Sequence, residues 1–174
     1  MLSEYAEAHR IVSGAQSGFR QRTSRAVPIQ MLQMAIEDAE LSQQDLYTLQ
    51  VDYSSAFNMI DQDRLLMVMY DLGFPTDAVE VVKDLYAGAT TSYVTDYGPT
   101  APINVERGTL QGDTLSPFLF LIYLEPLLRW LNVGGRGHTF GCVPSEKRNE
   151  TRCNSLAYAD DLEILASNRS NSAD

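Results

Sequence analysis

Cysteine is scarce, with two in 174 residues. Two thiols cannot build a disulfide framework, so a reducing compartment is expected. Histidine is equally rare, with two, and tryptophan occurs once. No uninterrupted apolar run reaches the roughly 18 residues a membrane helix needs, which excludes such a span. The opening stretch, Met1 to Arg10, lacks the basic-then-apolar pattern of a secretory signal. An intracellular protein, nuclear or cytoplasmic and not secreted, is the expectation. Positive charge is also in short supply: 13 Lys and Arg stand against 23 Asp and Glu, a net charge of −10. A freestanding nucleic-acid-binding surface normally shows the opposite excess, so composition argues against one. What is present is apolar mass, 44% hydrophobic and 9% aromatic. That suffices for a packed core, and the length fits one domain or one piece of a larger one.

The charge is unevenly spread. Residues 1–33 are net +2, residues 34–84 net −9 and residues 85–174 net −3. The acidic block reads as a solvated helix face. Residues 13–27 are rich in Ser, Gly, Gln and Arg and read as a loop. Pro28 suits a first helical turn, and Ile29, Leu32, Ala35, Ile36 and Ala39 recur at helical spacing, fading near Leu41–Gln44. Leu46–Val51 reads as a strand ending at Asp52. Asp61 can cap a helix that stops at Gly73, and Thr76 can cap another that stops at Gly88. Thr90–Asp96 and Ile103–Glu106 read as strands around a Gly98-Pro99 turn, with Tyr93 and Tyr97 expected to pack. Residues 117–131 are apolar nearly all round, a buried helix that Pro126 should kink or split. Residues 132–154 read as a loop. Ser155–Tyr158 and Leu162–Ala166 flank Ala159, Asp160 and Asp161 as a hairpin. The order implies an α+β fold without regular βαβ alternation.

Three carboxylates sit where a metal could use them. Asp52 ends a strand, and Asp160 and Asp161 occupy a hairpin tip. Clustered acids repel one another unless a cation is present. Mg²⁺ prefers hard oxygen donors, often a few carboxylates completed by substrate phosphates. Two such ions can activate an attacking oxygen and stabilise a leaving one in phosphoryl transfer. Taken alone, these residues are also an ordinary turn and an ordinary strand-end cap. The loop before the apolar helix runs Arg107-Gly108-Thr109-Leu110-Gln111-Gly112-Asp113-Thr114-Leu115-Ser116-Pro117-Phe118-Leu119-Phe120. Its glycines permit close backbone approach to a ligand, and Gln111 offers an amide to a flat substrate.

That loop, followed by Tyr158-Ala159-Asp160-Asp161, closely resembles reverse transcriptases of the non-LTR, LINE-like retrotransposon type. Asp52-Tyr53-Ser54-Ser55-Ala56-Phe57-Asn58-Met59-Ile60-Asp61 resembles that family's first catalytic motif, and Gln16-Ser17-Gly18-Phe19-Arg20 the segment preceding it. The motifs stand in family order over roughly residues 1–168. Group II intron and retron enzymes share the Arg107–Phe120 loop, and the Gln16–Arg20 segment favours the LINE-like kind.

The resemblance implies a polymerase palm, an antiparallel sheet backed by helices with a ferredoxin-like core, and a partial fingers segment. It divides the chain into a lead-in at 1–44, the palm at 45–168 and a frayed tail at 169–174. It implies RNA-templated DNA synthesis with two Mg²⁺ ions, Mn²⁺ being able to substitute, on an RNA template, a DNA primer and deoxynucleoside triphosphates. Asp52, Asp160 and Asp161 are then the catalytic metal ligands. Phe57 crowds the sugar 2′ position, Gln111 and Gly112 lie near the incoming nucleotide, and Tyr158 touches the primer end. Arg20, Arg22, Arg25 and Arg107 are candidates for nucleic-acid contact. Asn58 departs from the family's usual Asp, a supporting position. Fewer basic residues and later motifs are present than the family carries, so a palm cut from a larger polymerase is expected. A catalytically inactive remnant that only folds or binds partners is the alternative. Of the remaining features, His138, Cys142 and Cys153 match no zinc spacing and read as loop residues without structural duty. Gly134 to Gly137 reads as a flexible loop.

Overall fold

A computed structural model describes residues 2–110, 112–133, 137–141 and 151–167. In chain order its elements are helices α1 (Leu2–Ala8) and α2 (Ala26–Ser42), strand β1 (Leu46–Val51), a 3₁₀ turn (Ala56–Met59), and helices α3 (Gln62–Asp71) and α4 (Thr76–Tyr86). Four two-residue strands follow: β2 (Thr90–Thr91), β3 (Val94–Thr95), β4 (Gly98–Pro99) and β5 (Ile103–Asn104). Then come α5 (Ser116–Asn132), β6 (His138–Phe140), β7 (Thr151–Cys153), β8 (Ser155–Tyr158) and β9 (Asp161–Ser167). The chain gathers into two units, one of Met1–Ile11 with Ser55–Tyr123, the other of Val12–Ser54 with Leu124–Asp174. The boundary expected at residue 44 falls inside the second unit, and the tail expected at 169–174 lies outside the described residues.

The second unit is built on a three-stranded antiparallel sheet in the order β1-β9-β8. Its register pairs Leu46 with Ser167 and Val51 with Leu162 on one side of β9, and Ser155 with Ile164 and Tyr158 with Asp161 on the other. Side chains alternate between faces along a strand. One face therefore carries Leu156 and Leu165, and α2 covers it. Ala35 of α2 packs with Cys153, Leu156 and Leu165 in a buried cluster flanked by Met31, Leu32, Leu46 and Phe140. Ala35 and Ala39 are small enough to bring the helix close to the strands. The helix ends where Gln43 turns left-handed at φ 52° and its N–H reaches the Ala39 and Glu40 carbonyls. β6 and β7 pair within the stretch 132–154 expected as loop. What organises it is His138, fully buried, whose Nε2 lies 3.0 Å from Asp38 Oδ2 of α2. Gly141 N donates to the other oxygen of Asp38 at 3.0 Å. His138 thus has a structural duty the sequence reading denied it. Cys142 and residues 134–136 lie outside the described residues.

The first unit is mainly helical. Asp61 caps α3 as expected, accepting from Arg64 N at 3.0 Å. Helix α4 starts at Thr76, but its N-cap is Pro75, which offers no side-chain acceptor. Leu65, Met69, Phe74, Val79, Val82 and Phe118 are buried, with the rings of Phe74 and Phe118 edge to face at 6.3 Å. In the β2–β5 stretch, β2 pairs with β5 and β3 with β4. Gly98 and Pro99 therefore form a strand, and the turn is Asp96-Tyr97, because Thr95 pairs with Gly98. Tyr93 and Tyr97 do not pack: they are 64% and 101% exposed. Helix α5 runs through Pro126 as one element of 17 residues, so the expected split is absent.

Candidate functional site

The three carboxylates gather at one end of the β1-β9-β8 sheet. Asp52 follows Val51, whose partner is Leu162, so Asp52 stands abreast of Asp161 across the register. Asp160 is the second residue of the two-residue turn closed by the Tyr158–Asp161 pair. Asp52 and Asp161 are exposed and Asp160 is half-buried. Among the described residues none of the three side chains has a hydrogen-bond or ion-pair partner, and no three metal-ligating side chains converge into a ready-made cage. Unpartnered hard-oxygen donors at one sheet end fit Mg²⁺, which completes its shell with water and substrate phosphates rather than with protein alone.

Tyr158 and Asp161, as a ladder pair, share a face with Leu156, Glu163 and Gln50. These line a hollow of about 260 Å³, closed on its far side by Arg25, Ile29 and Leu32 of the α2 segment. Of the four expected basic residues, three lie in this unit, and of these Arg22 and Arg25 are exposed. Arg20 is turned to its own segment, with Nη1 donating to Ser13 O at 2.7 Å and Gln16 O at 2.9 Å.

That segment is ordered by the hairpin itself. Ser17 N donates to Ala157 O and Ala157 N to Ala15 O, both at 2.8 Å, so residues 15–17 lie beside β8 like a short added strand. Ser13 N donates to Glu125 Oε2 at 2.9 Å, and Arg129 Nε donates to Glu125 Oε1 at 2.9 Å. Glu125 is 1% exposed, and burial pushes its carboxyl above the usual range against the pull of Ser13, Arg129 and Arg20. The sequence reading missed Glu125 and the duty of Gln16. Glu125 sits among apolar residues of α5, and a charged residue there was the available signal.

Phe57, Arg107 and Gly112 belong to the other unit. Phe57 follows Ser55, a non-glycine residue at φ 54°, and its half-buried ring stacks on Phe120 at 4.7 Å. The Arg107–Gly112 loop is tied to the segment after Asp52. Gly108 N donates to Ile60 O at 2.7 Å, Thr109 N to Phe57 O at 3.0 Å and Gln62 Nε2 to Gly108 O at 3.1 Å. Gly108 stands at φ 83°, and a Cβ there would come within 2.8 Å of Asn58 Cα. Gly112 is left-handed at φ 85° with open space around it, and Arg107 is exposed. Gln111 lies outside the described residues.

This arrangement of helices and antiparallel strands has solved counterparts. Telomerase from Candida albicans, solved with a TWJ fragment of telomeric RNA, superposes with a TM-score of 0.56 at 12% identity over 95% of this chain and 29% of that one. Apo telomerase from Candida tropicalis gives the same score and identity over 89% and 30%. At that identity the likeness establishes the fold, an α+β polymerase palm-like one. The chain matches the family described as reverse transcriptase (RNA-dependent DNA polymerase) over residues 1–173, and it belongs to that family. Its relatives place it among the reverse transcriptase domains of non-LTR retrotransposons. It is 32% identical over 126 residues to the Pol polyprotein of retrotransposable element R2DM from Drosophila melanogaster, covering 71% of this chain and 11% of that protein. It is 28% identical over 170 residues to the R2 Pol polyprotein of Popillia japonica, covering 97% and 23%. A 149 kDa protein of transposon TX1 from Xenopus laevis is 31% identical over 68% of this chain. The chain thus spans only about a tenth to a quarter of the curated relatives it matches.

Proposed function

We propose that this chain carries the catalytic palm of an RNA-templated DNA polymerase. A primer 3′-oxygen attacks the α-phosphorus of a deoxynucleoside triphosphate, losing its proton, while the bond to the β-phosphate breaks and pyrophosphate leaves. The observation that carries this reading is the set of three carboxylates, Asp52, Asp160 and Asp161, at one sheet end, none with a partner among the described residues. These residues would hold Mg²⁺, or Mn²⁺ in its place, which when bound supplies charge neutralisation and Lewis acidity toward phosphate oxygens. The chain's own work is then positioning. Tyr158 lies beside Asp161 to meet the primer end. Phe57, held by Phe120, limits the room at the sugar 2′ position. Gly112 leaves its backbone open to a nucleotide. Arg22, Arg25 and Arg107, all exposed, are candidates for phosphate contact.

A second reading is an inactive remnant that only folds or binds partners, the chain covering 11% and 23% of two of the relatives it matches. One assay separates the two. The full chain is given an RNA template, an annealed DNA primer, deoxynucleotides and Mg²⁺. Templated extension that Asp160→Asn lowers by more than about a hundredfold, the scale of losing one charge-stabilising group, supports the polymerase. Extension equal in wild type and Asp160→Asn, or none at all, removes it.

A further inference from the structure

Ala159 directly precedes Asp160 and stands in left-handed backbone at φ 57°. That region is disfavoured for any residue with a Cβ. Of the two turn positions only the first has positive φ, a conformation in hairpin turns for which glycine is the usual occupant. The last ladder pair is Tyr158 with Asp161, so the ladder itself does not fix Ala159. A residue 143 positions away does. Gln16 Nε2 donates to Ala159 O at 3.1 Å, and Ala159 N donates to Gln16 Oε1 at 2.9 Å. One amide thereby takes both polar backbone atoms of the turn residue. Gly18 N donates to the same Oε1 at 2.7 Å. Two N–H donors on one end and a carbonyl on the other settle which atom of the amide is which.

Gln16 is itself held. It is 1% exposed. Its backbone is bracketed by the Ser17 and Ala15 bonds to Ala157, and its carbonyl is taken by Arg20. Gly18 makes the close approach feasible, because a Cβ there would lie 2.2 Å from Ala159 N. Sequence segments 13–20 and 155–161 are thus one device: an arc braced by Arg20 and Glu125, ending in an amide aimed at the turn.

We propose that Gln16 is a positioning residue for the carboxylate-bearing hairpin. By seizing Ala159 N and O it sets the backbone of the turn, and with it the direction in which Asp160 presents its carboxylate. What Asp160 then does rests on the polymerase reading; what Gln16 does to Ala159 does not.

The test uses the full chain in wild-type, Gln16→Met and Gly18→Ala forms. Methionine keeps the length and burial of the side chain without its amide, and Gly18→Ala displaces the arc with the amide intact. The first readout is residue-resolved amide exchange. Both variants are expected to speed exchange at Ala159 by at least about tenfold while α3 amides such as Leu65 and Met69 keep their wild-type rates. Unchanged exchange at Ala159, or equal acceleration throughout, overturns the proposal, the latter because it marks a residue that merely supports the fold. The second readout is Mn²⁺ titration, where Gln16→Met should weaken binding about 10- to 100-fold, the usual effect of losing a group that orients a ligand. Binding that Asp160→Asn abolishes but Gln16→Met leaves intact overturns it as well. If wild type binds Mn²⁺ no better than Asp160→Asn, the polymerase reading fails, and exchange at Ala159 still decides the clasp.

Discussion

Two glycines of one loop show how a single atom is tolerated or not. Gly108 and Gly112 are both left-handed, so a Cβ costs each about 1–2 kcal/mol in backbone strain. Only at Gly108 would that Cβ also run into fixed backbone, that of Asn58 and Phe57. Gly108→Ala is expected to lower unfolding free energy by about 3 kcal/mol, and Gly112→Ala by about 1. Urea denaturation of the two variants measures the difference, and equal losses would remove the steric argument. Glu125 makes a pH-dependent case. Burial raises its folded-state pKa above the ordinary value near 4.5. A carboxyl with a raised folded pKa favours the folded state when protonated. Its favourable contribution is therefore full below about pH 4.5 and fades as pH rises through the folded value. Glu125→Gln removes that part of the slope and keeps an acceptor for Ser13 N. Stability of wild type relative to the variant should fall as pH rises from 4 to 8; a flat difference would mean that Ser13 and Arg129 fully offset burial.

At the scale of elements, α2 and the sheet meet through very small contacts. Ala35 is fully buried against Leu156 and Leu165, with Met31 and Leu32 of the same helix packed around that contact. Leu165→Ala should cost about 2–5 kcal/mol by transfer and cavity together, read as a shift in urea midpoint at constant m-value. A loss under 1 kcal/mol would mean that α2 settles onto the smaller side chain. The β6–β7 pair shows a different logic. No apolar alternation announces strands in 132–154, so propensity reads it as loop. The strands exist because Asp38 of α2 accepts from His138 and Gly141 at once, and partners 100 and 103 positions away leave no local signal. The short strands at 90–104 moved for a local reason: Thr95 bonds to Gly98 O through its hydroxyl at 2.7 Å and pulls the turn two residues earlier than the Gly-Pro pair suggests.

The whole molecule carries a charge of −10, yet it belongs to a family of polymerases that act on RNA. Under the proposed function, contact with phosphates falls to a few arginines. Released counterions scale with phosphates neutralised, so Arg22, Arg25 and Arg107 together allow a log–log salt slope no steeper than about −3. Measuring RNA affinity across a salt series checks this, and a slope near −8 would require a basic surface these residues do not form. The residue types at the sheet end and in the glycine loop were legible along the chain. Carboxylates, glycines and a proline are chosen by chemistry and by backbone angle, and both act over a few residues. Strand β1, the capped α3 and the hairpin around Ala159 and Asp160 were legible for the same reason, since periodicity, caps and turns are local. What only the tertiary structure decided was the set of partnerships between distant segments: Gln16 on Ala159, Asp38 on His138, Ser13 on Glu125. Each joins groups a hundred or more residues apart, where a hydrogen bond depends on where the folded backbone brings two atoms and not on any pattern the chain repeats.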